Sequence, residues 1–287
     1  MISIGLAGWG DHDKLYPERL KAKDKLKEYS RHFSTVEVDS SFYAIQPSDR
    51  FRRWAEETPD DFRFVVKAYQ GLTGHQRGGV AADQSELFGA FRESLQPVLE
   101  AGKLTAALFQ YPPWFDCTRA NVEMLKEARK RMEGIPCALE FRHQSWFRPE
   151  YREKTLAFMA GEDWIHSVCD EPQAGEGSVP TVLQATNPGM TIVRMHGRNM
   201  SGWSQASAPN WREVRYLYRY GQAELEEWRN NVLELAEQSR DVCVIFNNNS
   251  GGDAAENAKQ LMAMLGQEPI GFPEPEPSPE QLDLFDL

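Results

Sequence analysis

The sequence predicts a single-domain (β/α)8 TIM barrel with an extended C-terminal tail, and three observations predict it. Eight short apolar runs recur between residues 2 and 249, each bounded by a turn or a polar end. Segments with helical spacing lie between several of them. No G-x-G-x-x-G follows the first run, where "GLAGWG" has the wrong spacing and a tryptophan where a phosphate would approach. An open doubly wound sheet is therefore the lesser alternative, and eight strand–helix repeats are the number that closes a parallel sheet on itself.

In order, the strands are "ISIGLAGW" (2–9), "TVEVDSSF" (35–42), "FRFVVKA" (62–68), "TAALFQYP" (105–112), "CALEFR" (137–142), "WIHSVCDEP" (164–172), "TIVRMHG" (191–197) and "VCVIFNNN" (242–249). Helical spacing places Leu20, Leu26, Tyr29 and Phe33 on one face over 18–33. It does the same for Leu87, Phe88, Phe91 and Leu95 over 83–99, and for Leu225, Trp228, Val232, Leu235 and Ala236 over 222–239. A last helix over 254–265 closes the domain, assigned to residues 1–266.

Composition narrows the function classes. No run of about 18 apolar residues exists, so no membrane span is expected. The start, "MISIGLAGWG", lacks the basic and long apolar regions of a secretory signal. Cys117, Cys137, Cys169 and Cys243 are widely spaced without a C-x-x-C, which reads as free thiols in a reducing cytoplasm. The net charge is −11, and residues 267–287 supply six of those charges. A body with so little excess base is no strong non-specific DNA binder, because counterion release needs clustered Lys and Arg.

The strands start apolar and turn polar at their C-terminal ends. Alternate residues of a strand face the same way. Glu37 thus shares a face with Asp39, Lys67 with Val65, Gln110 with Leu108, Glu140 and Arg142 with Ala138, and Arg194 and His196 with Ile192; the last run ends in Asn247, Asn248 and Asn249. The layer between strands and helices is apolar, so these side chains are expected in the lumen near the C-terminal mouth, where barrel enzymes keep their chemistry. Each alone could be a filler that neutralises a neighbour. Together, some six charges cost several kcal/mol per ion to bury before pairing, so a functional pocket is the better reading.

The residue types suit acid–base work by Glu37, Glu140 and His196, with Lys67, Arg142 and Arg194 as anion clamps. The cofactor is left unassigned. A divalent metal on Glu37, Asp39, Glu140 and His196 is not favoured, because Lys67 and Arg142 compete for the same carboxylates. His75 and His143 are placed at the mouth, His12 and His32 on the surface and His166 in the core. Trp9, Tyr43, Tyr111, Trp114 and Trp146 follow or end strands, either as caps over the barrel end or as a wall for a ring-bearing ligand.

The blocks "GLAGW…YP", "VEVDSSFY", "W…TPDDFRFVVKA", "FQYPPWF", "LEFRHQSWF", "VRMHGR" and "FNNN…AAENA" resemble, in order, those of the YecE-like family, domain-of-unknown-function family 72. The resemblance covers residues 2–265, implies a TIM barrel and leaves the reaction open. It carries the family's shared polar positions onto Glu37, Lys67, Gln110, Glu140, Arg142, His143, Trp146, Arg194, His196, Gly197, Asn247 and Asn248. The sequence departs from the family pattern at Asp39 and Asn249, where Asn and His are common, and at Gly74, which separates Thr73 from His75.

Beyond the barrel, residues 267–280 form an acidic, proline-rich linker. The pentapeptide Gln281-Leu282-Asp283-Leu284-Phe285 resembles the bacterial sliding-clamp-binding motif. A short peptide with a few apolar anchors and one amide is a swappable ligand. The tail could instead fold back on the barrel, or the match could be accidental. The combined expectation is an enzyme acting on DNA or a nucleotide-like, phosphate-bearing substrate and recruited to the clamp. The alternatives are an isomerase or hydrolase of small metabolites with an incidental tail, and a non-catalytic clamp accessory.

Overall fold

The computed structural model describes residues 1–75, 84–204, 214–249 and 251–267. Eight parallel strands close a barrel in sequence order: β1 (Ile2–Ala7), β2 (Thr35–Val38), β3 (Arg63–Lys67), β4 (Leu104–Gln110), β5 (Cys137–Glu140), β6 (Ile165–Asp170), β7 (Met190–Met195) and β8 (Asp241–Phe246), with β8 pairing back on β1. Among the described residues, the helices are α1 (Lys25–Tyr29), α2 (Ser40–Tyr43), α3 (Ser48–Glu56), α4 (Gln84–Glu100), α5 (Arg119–Arg131), α6 (Arg152–Gly161), α7 (Met200–Ser204), α8 (Gln222–Gln238) and α9 (Ala254–Met264). None of the described helices is long and apolar enough to cross a membrane.

Period-2 alternation divides the core into two layers. Val65, Ala106, Leu108, Ala138, Ile165, Ile192, Cys243 and Ile245 fill the lumen. Their neighbours, such as Val36, Val38, Phe64, Val66, Phe109, Leu139 and Val244, face the helices. Burial on both faces is why these strands read as near-continuous apolar runs. The seam between β1 and β2 is tight. Gly5 pairs with Thr35, and a Cβ on Gly5 would lie 2.0 Å from the Thr35 carbonyl oxygen. The buried Tyr29 hydroxyl closes the same seam, accepting from Leu6 N and donating to Thr35 O, both at 2.8 Å.

Three expectations need correction. The helix expected over 18–33 is broken, because Arg19 takes a left-handed φ of 70° and only a 3-10 turn (Ala22–Asp24) and α1 follow. Leu26, Tyr29 and Phe33 are nonetheless buried, as their spacing implied. Second, the crossover from β6 to β7 contains no helix. Residues 171–189 run irregularly and bury Val179 and Val182, tied by Thr181 Oγ1 to Cys169 O and by Thr186 Oγ1 to Trp164 O. Third, His12 is buried rather than on the surface, and burial lowers its pKa.

His166 is a core residue, as expected from its place in an apolar run; burial holds it neutral and its Nδ1 bonds to Gln184 O. All four cysteines are free. The tail beyond 267, with the linker and the clamp-like peptide, lies outside the described residues.

Candidate active site at the barrel mouth

A chain of alternating charge crosses the C-terminal end of the lumen. Glu37, at the end of β2, takes a bidentate guanidinium from Arg194 of β7, Nε to Oε2 at 2.7 Å and Nη2 to Oε1 at 2.5 Å. Arg194 Nη1 also reaches both oxygens of Glu140, at 2.8 Å each. Glu140 in turn accepts Arg142 Nε at 2.7 Å and the Ser167 hydroxyl at 2.9 Å. Arg142 Nη1 pairs with Glu171. The order is therefore Glu37, Arg194, Glu140, Arg142, Glu171, negative and positive by turns. All five residues are at most 4 % exposed.

Burial and pairing set different charges along this chain. Burial pushes Glu37 up to about 7, against the pull of Arg194, and pushes Glu171 up to about 7, against Arg142. Burial would raise Glu140 as well, but two guanidiniums outweigh it and hold this carboxyl at about 2. Glu140 is thus a fixed anion between two groups that exchange protons near neutrality.

His196 is buried beside Arg142, whose Nη2 lies 2.8 Å from its Nε2. A guanidinium only donates, so Nε2 accepts and the ring proton sits on Nδ1. The Asn247 amide nitrogen, Nδ2, stands 3.0 Å from Nδ1; with the ring proton on Nδ1 the amide must be turned over so that its oxygen accepts. Burial and the nearby guanidiniums hold the imidazole neutral, well below its ordinary pKa. In this arrangement His196 orients Arg142 and Asn247, where the sequence suggested a proton shuttle. The two arginines expected to clamp an anion likewise have their donors engaged by carboxylates.

Four of the expected residues reach the partly open edge: Lys67, Asp39, Gln110 and Asn247. The Lys67 ammonium lies 3.8 Å from Asp39 and 4.7 Å above the Phe42 ring. Gln110 Oε1 lies 3.5 Å from Arg194 Nη1. His75 contacts Thr73 Oγ1 through Nδ1 at 2.8 Å, and burial, with Lys67 and Arg142, lowers its pKa to about 4.

Three expected residues serve the frame. Trp146 is buried in a stack with Phe141 and Phe115, its Nε1 donating to Phe115 O at 2.7 Å. His143 caps the turn at Gln144–Phe147 by accepting from Ser145 N. Asn248, one residue out of phase with Asn247, faces away from the lumen; its amide donates to Tyr218 O and Asn257 Oδ1. Gly197 is required where it stands. Its φ is 83°, and a Cβ would lie 2.5 Å from that of Tyr218.

Glu171 and Ser167 were missed. The signal was present, because Ile165, Ser167, Cys169 and Glu171 alternate along β6 and just past it. Ligand atoms of Glu140, Cys169 and His196 lie within 4.8 Å of one another. They make a poor metal site. Both Glu140 oxygens are held by guanidiniums, His196 Nε2 is engaged by Arg142, and burial raises the Cys169 thiol well above its ordinary pKa. A cavity of about 750 Å³ at the opposite end of the barrel lies between Ser3, Arg63, Arg129, Asp163 and Arg240. It is on the N-terminal face, away from the charge chain, and its Arg129 and Asp163 are paired with each other.

The fold and site define a (β/α)8 barrel protein with a buried, charge-alternating floor beneath its C-terminal mouth. The chain belongs to the family described as "Protein of unknown function DUF72", whose model matches residues 3–282. It is 57% identical over 287 residues to UPF0759 protein YunF of Bacillus subtilis (strain 168), covering 99% of this chain and 100% of that one. It is 40% identical over 160 residues to UPF0759 protein YecE of Escherichia coli (strain K12), covering 54% of each. Among solved structures, a DUF72 family protein from Enterococcus faecalis V583 superposes with a TM-score of 0.88 at 38% identity, covering 93% of this chain and 96% of that one. One from Thermotoga maritima MSB8 gives 0.80 at 32%, covering 93% and 100%.

Proposed function

We propose that the protein is an enzyme acting on a phosphate-bearing substrate, DNA or a nucleotide, at the C-terminal mouth, and that residues 281–285 recruit it to the sliding clamp. The observation that carries the first half is Lys67. Of the three cations expected to clamp an anion, it is the one that stands at the partly open edge, while Arg142 and Arg194 are engaged by buried carboxylates. In this reading Lys67 holds the phosphate, and Gln110 and Asn247 orient it through their amides. Glu37, poised near neutrality by burial, takes or gives the proton. Glu140 keeps the two arginines in place.

The second half rests on "QLDLF" itself. Clamp tethering would raise the local concentration of DNA to about the millimolar range and offset an acidic body. Four free thiols fit a reducing cytoplasm.

The test of the site is binding of a single-stranded tetranucleotide to the full chain. The expected result is that Lys67→Ala weakens it tenfold or more with an unchanged melting temperature. Equal binding by the variant and the parent overturns the phosphate reading. The acidic body favours one alternative, a small phosphorylated metabolite as substrate. It predicts that ribose 5-phosphate binds as tightly as the tetranucleotide.

A further inference from the structure

We propose that the N-terminal end of the barrel lumen is a binding site for a monocarboxylate with an apolar body, its carboxylate held by Arg63. The inference goes beyond the reading of the mouth, which lies at the other end of the strands. The cavity of about 750 Å³ at this end is lined by the first residues of six strands: Arg63 of β3, Leu104 of β4, Cys137 of β5, Ile165 of β6, Met190 of β7 and Asp241 of β8. Pockets of about 300–1,000 Å³ take small organic ligands.

Strand alternation turns Arg63 inward. It stands in phase with Val65, which fills the lumen, and with Lys67 at the mouth. β3 thus carries a cation at each end of the lumen. The layer of Val65, Ala106, Ala138 and Ile192 lies between the cavity and the charge chain.

Of the three arginines that line the cavity, two are matched by carboxylates. Arg129 Nη2 donates to Asp163 at 3.0 Å, and Arg240 Nε to Asp241 at 2.9 Å. Arg63 instead donates through Nη1 to two backbone carbonyls, Asp60 O at 2.8 Å and Phe62 O at 3.0 Å. Among the described residues it makes no other side-chain hydrogen bond and no ion pair. Its Nε and Nη2 therefore keep the parallel pair of N–H groups that a carboxylate takes in bidentate fashion. Ser34, also in the lining, is held alongside, because Arg63 N donates to Ser34 O at 2.9 Å.

The rest of the lining calls for a single charge on an apolar body. Asn187 is used at both ends of its amide, donating to Asp163 and accepting from Gly189 N and Met190 N. Asp61, two residues before Arg63, lines the same cavity and disfavours a second negative charge. The apolar part of the wall is Leu104, Ile135, Pro136, Ile165 and Met190. Ile165 belongs to the lumen cluster and Met190 packs against it, so a hydrocarbon chain there extends the core of the barrel.

The test uses the full-length chain and three probes measured by calorimetry: octanoate, octan-1-ol and octanedioate. The expected result is one octanoate site, with the alcohol and the diacid bound roughly tenfold more weakly or worse. Arg63→Ala should weaken octanoate roughly tenfold or more and leave octan-1-ol unchanged. Arg63→Lys, which keeps the charge and loses the fork, should recover only part of the loss. Met190→Glu adds a carboxylate to the apolar wall and should abolish octanoate binding with Arg63 intact, which decides the matter if Arg63→Ala fails to fold. Lys67→Ala should leave octanoate binding as it is. Loss of octanoate binding in Lys67→Ala with retention in Arg63→Ala would put the anion at the mouth and overturn the proposal. Equal binding of the three probes by the parent, no binding of octanoate, or octanoate binding that survives Met190→Glu would overturn it too, and each leaves the phosphate reading of the mouth standing.

Discussion

Arg194 is the residue on which the mouth depends. Its guanidinium is the shared partner of two buried carboxylates, and its own burial is tolerable only because both are there. Arg194→Met should leave Glu37 without its bidentate partner and Glu140 with one. The expected loss is about 3–5 kcal/mol, the range for breaking a buried pair. It should be read as a lower denaturation midpoint with an unchanged slope. Glu171 offers a pH test. Burial raises the Glu37 and Glu171 carboxyls from an ordinary 4.5 to about 7, so between these values the folded protein holds protons that the unfolded chain has lost. Their contribution to stability is therefore full below about pH 4.5 and is lost as pH rises through 7. Glu140 acts in the opposite sense. It stabilises above 4.5 and loses that contribution as pH falls toward 2. The buried His75, His166 and His196, whose pKa values are lowered, act against the two carboxyls and gain stability as pH rises toward 6.5, so the test is a difference: relative to the parent, Glu171→Gln should gain stability as pH rises from 5 to 8. A variant that keeps the parent's slope would show that Glu171 is ionised throughout.

At the scale of elements, two departures from a regular strand–helix repeat position the site. One is the β1–β2 seam, where Gly5 lets the Thr35 backbone come in close. Gly5→Ala cannot be absorbed by a side-chain rotation, because the clash is with backbone. It should cost about 3 kcal/mol or more by forcing the two strands apart, measured as a drop in melting temperature. The other is the helix-free crossover 171–189. It holds Glu171 against Arg142 through the Val179 amide, which donates to Glu171 Oε1 at 2.6 Å. Farther along, Thr186 Oγ1 ties it to the Trp164 carbonyl at 2.6 Å. Thr186→Val should cost about 1 kcal/mol and speed amide exchange in 171–189 while the strands keep their protection. Uniform acceleration across the barrel would mean that the crossover and the barrel open together.

For the whole molecule the open question is recruitment. A peptide covering Pro279–Leu287 should bind purified sliding clamp with roughly micromolar affinity, as expected for a few anchors on a segment that must be ordered to bind. At about 3.1 Å per residue in extended, proline-rich chain, some 14 linker residues can hold it roughly 40 Å from the barrel. Leu284→Ala with Phe285→Ala should abolish binding, since the pair supplies some 3–5 kcal/mol of apolar burial, and should leave the melting temperature unchanged. If the tail instead packs on its own barrel, the double variant melts lower and the clamp never binds. Titrating the full chain and residues 1–266 in parallel decides this, and equal clamp binding by both would remove the tether.

The fold class was legible in the sequence because its causes are local. A short apolar run bounded by turn or polar residues reads as a buried strand, and eight of them in order closed as expected. Period-2 alternation along them brought Glu37, Lys67, Glu140, Arg142, Arg194 and His196 to one end of one lumen. It also separated Asn247 from Asn248, although the two stand side by side in the run that ends the last strand. What only the tertiary structure decided was which charges pair, how deep they lie and what stays open. Arg194 meets Glu37 across 157 positions of chain and Glu140 across 54, and Arg142 meets Glu171 across 29. No local pattern encodes a partner at such a distance; barrel closure supplies it. Closure also buried those groups and pushed their proton affinities apart, while leaving Lys67 at the partly open edge.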